Sequence, residues 1–401
     1  FENFDLIHSF NKDKKKHSIK MSSSLNETPL KLDNLNYYKK EQEKAQIDLL
    51  AEIILDKYFL IKNLNYFDKS SEIKLQKIKF NKNYELFDLN KIKVKTYSDN
   101  TKNNDFSVIK SNNIIVNGDV FDAQPLIKSL FTKDDKKIFS KKFNSDVKID
   151  FKKTITGSDD DISNLSMIAS IKKGSYSKLS LKGNFSEKEI IEMSIYQIDK
   201  NKKSLQVISD RARPFIKHFD FIEGFEGGRL EYDSDIFDKK SQSSLIITDF
   251  KVSKVPALAQ LLTLASLQGI ADTLSGEGIR FESFEMKSYS ENNVMNIEDA
   301  LAMGPAVSIL LDGYVDKGKT VSLRGTLVPA TKLNSIIASI PIVGDILVGK
   351  KSGEGVIGVS FKMKGPPKDI KTSVNPIKTL TPRFIVRAIE KKRKKKKEKT
   401  K

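Results

Sequence analysis

The chain has 401 residues, no Cys, no Trp and a net charge of +18. A chain of this length buries a substantial core, and the absence of Cys excludes disulfides, thiolate metal sites and thiol nucleophiles. The positive charge raises nucleic acid or an anionic membrane as a partner, but the tail Lys391 to Lys401 holds nine basic residues against one Glu, which leaves +10 dispersed over the other 390 residues; dispersed Lys reads as a solvated surface, and no nucleic-acid partner is expected.

The sequence opens on Phe1 with no charged stretch leading into an apolar one, so any signal or membrane anchor is expected upstream. Residues 1 to 35 are polar, with a basic cluster from Lys12 to His17, and read as the broken end of a preceding unit. From Tyr37 to Phe59 the spacing of Ile47, Leu50, Ala51, Ile54 and Leu55 predicts a helix whose outer side carries Glu41, Lys44, Asp48 and Glu52. From Leu60 to Lys110 short alternating runs, such as Ile73 with Leu75 and Ile92 with Val94, predict half-buried strands. Residues 1–112 are thus expected to form a partial β-rich region with one helix.

One pattern recurs further on: apolar, any, apolar, any, Gly, any, apolar. Its copies are Ile114, Val116, Gly118, Val120; Leu179, Leu181, Gly183, Phe185; Ile309, Leu311, Gly313, Val315; and Val321, Leu323, Gly325, Leu327, with a looser one at Val359, Phe361, Met363, Gly365. Side chains alternate along a strand, so each copy lays its apolar groups and a bare Gly on one face. Gly there marks either a bulge or close backbone approach, or an unfilled notch in an apolar face. The recurrence predicts repeated supersecondary units.

Helices are expected at three interruptions. Arg211 to Phe221 carries Ala212, Phe215, Ile216 and Phe219 on one stripe after Ser209 or Asp210 as N-cap. Pro256 to Leu274 starts with a Pro suited to a first turn, and its polar Gln260, Thr263, Ser266, Gln268 and Asp272 make it a helix packed on a sheet, not a bilayer span. Thr331 to Leu347 reads as an amphipathic helix broken at Pro341, with Leu333, Ile336, Ile337 and Ile340 before the break and Ile342, Val343, Ile346 and Leu347 after it. That segment either caps the end of a sheet or lies against a membrane interface. A last element, Pro382 to Ile389, runs into the basic tail.

The residues offer no catalytic constellation. His8, His17 and His218 stand in no metal-binding spacing, and Asp159 to Asp161 lack the alternation of a calcium loop. Gly224, Gly227 and Gly228 precede no GK[ST], Gly276 and Gly278 lack the third Gly of a dinucleotide fingerprint, and no Ser sits in GxSxG. No enzyme activity, metal or cofactor is expected.

Several stretches resemble one family. SDRARPFIKHFDFIEGFEGGRLEY at Ser209 to Tyr232 is similar to a helix, glycine turn and strand module of the AsmA-like superfamily, in its YhdP-type branch. ALAQLLTLASLQGIADTLSGEGIRF at Ala257 to Phe281, the run Leu327 to Gly355, KGPPKDIKTSVNPIKTLTP at Lys364 to Pro382 and DVFDAQPLIKSLF at Asp119 to Phe131 resemble further modules, so the likeness spans about residues 115 to 390. The resemblance implies a mainly β fold with interspersed helices: an elongated, curled antiparallel sheet built from repeated units, grooved by an apolar face, with amphipathic helices capping its C-terminal end. It divides the chain into 1–112, a β-groove region at 113–390 and a basic tail at 391–401. It further implies a non-enzymatic, periplasmic scaffold, anchored in the inner membrane by an upstream segment, whose groove carries or holds phospholipid between the inner and outer membranes. The expected groove lining is Val116, Leu179, Leu181, Phe185, Ile309, Leu311, Val315, Val321, Leu323 and Leu327. The expected end-cap or membrane contact, where a membrane surface or envelope protein docks, is Leu333, Ile336, Ile337, Ile340, Ile346 and Leu347. The alternative is a structural or assembly factor for outer-membrane biogenesis that conducts no lipid. The Lys- and Asn-rich composition and the basic tail depart from the family pattern.

Overall fold

Alternating apolar and polar residues, punctuated by Asn, Asp and Gly, make the chain mainly β. The computed structural model describes residues 2, 4–131, 139–157, 160–216, 224–237, 240–253, 255–264, 276–316, 319–329, 359–367 and 369–375. Two compact units form, the first from Phe1–His218 with Leu230–Ser241 and the second from Phe219–Arg229 with Gln242–Lys401.

The first unit runs through β1 (Phe4–Asn11), β2 (Lys16–Ser24), β3 (Leu30–Leu32), a 3-10 turn (Asp33–Leu35), β4 (Tyr37–Lys39), β5 (Ala45–Ile54), β6 (Tyr58–Asp68), β7 (Glu72–Asn81), β8 (Leu86–Asp88), β9 (Lys91–Ser98), β10 (Thr101–Lys110) and β11 (Ile114–Asp122). It continues with α1 (Gln124–Phe131), β12 (Ser145–Ile155), β13 (Ile162–Lys172), β14 (Ser175–Asn184), β15 (Ile190–Gln197), β16 (Lys202–Ser209) and α2 (Arg213–Ile216). β17 (Gly224–Phe237) and β18 (Lys240–Ser253) each contribute to both units. The second unit then holds α3 (Pro256–Leu264), β19 (Ile279–Glu291), β20 (Val294–Met303), β21 (Val307–Asp316), β22 (Thr320–Pro329), β23 (Val359–Gly365) and β24 (Lys371–Asn375).

Among the described residues, twenty-two strands belong to one mixed, mainly antiparallel sheet that does not close on itself, while β3 and β4 pair separately. Tight turns set the hairpins. Asp99 and Asn100 between β9 and β10, Lys173 and Gly174 between β13 and β14, and Asn292 and Asn293 between β19 and β20 all take positive φ. Two-residue loops with both residues left-handed match the twist of paired strands. The parallel pairing of β11 with β12 follows from the crossover through α1, because parallel neighbours need a long connection.

The helix expected at Tyr37–Phe59 is instead β4, β5 and the start of β6. Ala45, Ile47, Leu49, Ala51 and Ile53 also satisfy a two-residue period, and pairing to β2 and β6 on either side selects that period. Residues 1 to 35, read as a broken end, form the β1–β2 hairpin and β3. Pro256 does begin a helix, whose Leu261 and Leu262 are fully buried. Of the expected Arg211–Phe221 helix, Arg213–Ile216 is helical, Arg211 and Ala212 precede it, and 217–221 lie outside the described residues; the Ser209 hydroxyl bonds the Arg211 backbone instead of capping the helix. The Thr331–Leu347 and Pro382–Ile389 elements lie outside the described residues.

The glycine notches are filled by neighbours. A Cβ on Gly118 would stand 2.5 Å from Phe106 Cβ and 2.8 Å from the Phe151 ring; on Gly183, 2.4 Å from Ile162 Cγ2; on Gly325, 2.2 Å from the Leu310 carbonyl and 2.7 Å from Phe361. Close approach therefore replaces the open notch. In the second unit the rings of Phe225, Phe250 and Phe281 stack at successive centroid distances of 5.3 Å. We expect Gly118→Ala to lower stability by about 1–3 kcal/mol through overpacking, whereas Asn117→Ala, exposed beside it, changes it by less than about 0.5 kcal/mol; urea denaturation measures both.

Candidate functional site

In an antiparallel or parallel ladder, directly paired residues point to the same side of the sheet. Following the pairs across the first unit therefore traces one face. Leu6 of β1 pairs with Met21, Met21 with Leu49, Leu49 with Leu64, Leu64 with Leu75, and Leu75 with Ile92. Ile92 pairs with Val108, Val108 with Val116, Val116 with Ile149, and Ile149 with Met167. Met167 pairs with Leu181, Leu181 with Met193, Met193 with Val207, and Val207 with Tyr232 of β17. Fourteen strands thus carry one uninterrupted apolar row, about 60 Å long at the usual strand spacing. Most of it is half-buried; only Met167 and Val207 are fully covered, and Leu6 on the edge strand is open.

The other side of the same strands is charged and paired. Glu72 holds Lys74 and Lys93 at 2.5 and 2.7 Å, Lys152 meets Asp119 at 2.8 Å, and Lys182 meets Glu192 at 2.8 Å. A cleft of about 800 Å³ on this side is lined by Lys91, Lys93, Asp105, Asp119, Asp150 and Lys152, among others, and lies away from the row's half-exposed side chains. Between β2, β5 and β6, Glu52 accepts from Lys16 at 2.8 Å and sits 2.5 Å from Lys62. Those two ammonium groups hold its carboxyl below the ordinary glutamate range.

Two segments border the row. On one side the β3–β4 flap packs Leu30, Leu32, Leu35 and Tyr37 onto Tyr66, Ile73 and Val94. On the other, Phe139 and Phe143 pack with Leu86 and Leu89 onto Ile61, Ile78, Ile114 and Val147. Leu64, Leu75 and Ile92 touch both groups. Beneath the flap, Tyr37 Oη lies 2.6 Å from Tyr66 Oη and donates to Asp68. Burial, with that carboxylate nearby, pushes both phenols up, Tyr66 to about 12. Burial alone would raise the Asp68 carboxyl, but the bonds from Tyr37 and the Ser70 and Ser71 amides hold it below its ordinary value.

The second unit repeats the principle. Ile309 pairs with Leu327, Leu311 with Gly325, Gly313 with Leu323 and Val315 with Val321, so the two Gly-bearing copies share one face. Leu327, Gly325, Leu323 and Val321 in turn oppose Val359, Phe361, Met363 and Gly365. Val321 and Leu327 are buried, and Ile309, Leu311, Val315 and Leu323 are half-buried. The opposite side carries the exposed Arg324–Asp312 pair.

Of the lining residues expected from sequence, Val116 and Leu181 stand on the long row and Leu179 on the row beside it, paired with Ala169 and Ile195. Phe185 lies past the end of β14 with its ring 5.5 Å from the Arg211 guanidinium, which also holds Glu189 and Asp160. Leu333, Ile336, Ile337, Ile340, Ile346 and Leu347 lie outside the described residues. The row members before Val116 and the flap went unread in the sequence, apart from the alternations at Leu75 and Ile92. Among the described residues, no three or more His, Asp or Glu are grouped to hold a metal, and no helix is long and apolar enough to cross a membrane.

Compared with family models, curated proteins and solved structures, the chain matches none.

Because the Glu52 carboxyl is lowered in the fold, its stabilisation is full above its ordinary value near 4.5 and fades as pH falls through the lower folded value. Glu52→Gln should cost about 1 kcal/mol at neutral pH and flatten the acid limb; urea midpoints followed from neutral pH to about pH 3 read this directly.

Proposed function

We propose that the chain is a non-enzymatic scaffold that carries or holds phospholipid acyl chains on its apolar face, between the inner and outer membranes of an envelope. The observation that carries this reading is the half-buried row from Leu6 to Tyr232. A dry core buries its side chains fully, whereas a surface meant for a mobile hydrocarbon keeps them partly open until it is occupied. Exposing an acyl chain to water costs about 0.8 kcal/mol per CH₂, so roughly 12 kcal/mol opposes a chain of some fifteen carbons crossing water bare. An unbroken apolar row offsets most of that cost at every step. It requires neither a nucleophile nor a metal.

The AsmA-like resemblance over residues 115 to 390 supports the same reading. On it, the Gly-bearing strands are copies of one repeated unit, the 331–347 run caps the C-terminal end or meets a membrane interface, and an upstream segment anchors the protein in the inner membrane. The basic tail then faces anionic head groups, worth about 1 kcal/mol per basic residue near the surface. A second reading, an assembly factor for outer-membrane biogenesis, is favoured by one feature. Edge strand β1 exposes Phe4, Leu6, Ile7 and Phe10 and pairs among the described strands only with β2, which suits it to receive another protein's strand.

Photocrosslinking separates the two. A photoreactive residue at Ile149, Leu181, Leu311 or Leu323 should capture phospholipid in cells, and one at Lys148, Lys182 or Asp312 should not. Capture from the charged positions alone would contradict the proposal, and protein adducts from β1 without lipid adducts from the row would favour the assembly reading.

A further inference from the structure

Resting on the reading of the row as an acyl surface, we propose that the β3–β4 flap is a gate that keeps the lane from β6 to β9 one hydrocarbon chain wide, so that a single-chain lipid enters freely while a two-chain lipid needs the flap released. The lane's width follows from burial. Leu64, Leu75 and Ile92 are half-exposed, yet the rows on either side are covered, with Tyr66, Ile73 and Val94 at 2–7% exposure beneath the flap and Ile61, Ile78 and Leu89 at 3–9% on the other side. Same-face rows along a strand lie about 7 Å apart. A strip one row wide therefore seats one polymethylene chain and not two abreast. Past β9 the restriction on the flap side ends, because Phe106 and Gly118 beside the row are themselves half-exposed, and past β14 the other flank follows with Leu179, Ile195 and Leu205.

The two borders are attached differently, and the difference identifies the movable one. The Phe139–Phe143 border is pinned by backbone: the Ser140 amide donates to the Leu86 carbonyl at 2.9 Å, and the Gly174 amide to the Phe143 carbonyl at 3.0 Å. Among the described residues no backbone hydrogen bond joins the flap to the large sheet. Side chains hold it instead. Asn104 Nδ2 donates to the Leu35 carbonyl at 2.8 Å, Asn103 Nδ2 to the Leu35 and Asn36 carbonyls at 3.1 and 3.0 Å, and Asn36 Nδ2 to Asp122 at 2.9 Å.

Such a network is all-or-none. Thr96 donates to the Asn103 side-chain oxygen, Asn104 donates to Thr96, and the Asp122 amide donates to Asn104, so these buried groups satisfy one another. Losing one member leaves the others buried without partners, which is costly and weakens the whole latch. At the flap's base the Lys39 ammonium is fully buried and donates to the carbonyls of Asn26, Thr28 and Lys40, which fixes the hinge, while the rest of the flap is held by the amide latch, by the Tyr37 hydroxyl on Tyr66 and Asp68, and by apolar packing.

The test uses the full chain with two probes below their micellar concentrations: a fluorescent stearate and a fluorescent dioleoyl phosphatidylcholine. The unaltered protein should bind stearate at least tenfold more tightly. Asn104→Ala should raise phospholipid affinity at least fivefold and leave stearate within twofold. Asn36→Gly, which keeps the left-handed backbone at this exposed position and removes only the amide, should act in the same direction if Asn104→Ala fails to fold. Both probes binding with a ratio unchanged by any of these alterations overturns the gate alone. Neither probe binding to any form overturns the acyl-surface reading with it.

Discussion

Cross-strand register is the constraint on which everything else depends. The apolar row exists only because pair after pair aligns an aliphatic or aromatic residue with its neighbour, and a one-residue slip in any strand would turn that strand's apolar set to the charged side. Irregularities at Leu50/Ala51, Lys102/Asn104, Asp105/Phe106 and Ser163/Ser166 interrupt the ladders without breaking the row. The ion pairs on the far side reinforce the register, because Glu52 of β5 binds Lys16 of β2 and Lys62 of β6, and Glu72 of β7 binds Lys93 of β9. Charge on one face and hydrocarbon on the other are thus two consequences of one set of pairings.

Strand character was legible wherever alternation stood alone. Ile73 with Leu75 and Ile92 with Val94 leave no helical alternative, and they fall in β7 and β9. The segment from Ala45 to Ile54 satisfies both periods, and the decision came from β2 and β6, which local spacing does not reveal. The recurring Gly marked apolar strand faces, and of its two readings the close approach is the one found: Phe151, Ile162 and Phe361 occupy the room that Gly leaves. The long row could not be read from sequence, since it is a property of pairs and not of positions. Proximity of His8 to His17, whose ring nitrogens lie 3.0 Å apart, is a similar product of the β1–β2 hairpin.

An apolar face this long on an open sheet poses a hazard as well as a use. Among the described residues of the first unit, the flap and the Phe139–Phe143 segment shield its flanks and leave a narrow central strip half-open. The strip is too exposed for a finished core and too enclosed for an ordinary surface. On the proposed reading, a transient hydrocarbon occupant reconciles the two, because an occupant that leaves must not be needed for the fold to persist. The second unit, with its own face from Ile309 to Met363, applies the same chemistry on different strands.

The most direct measurement of the central claim is the mass of the intact chain, purified without detergent and sprayed under native conditions. The account predicts protein carrying added masses of lipid, stripped by introducing Asp at both Ile92 and Ile149 while the fold is retained. Bare protein alone, or added masses that persist with those two carboxylates on the row, would contradict it.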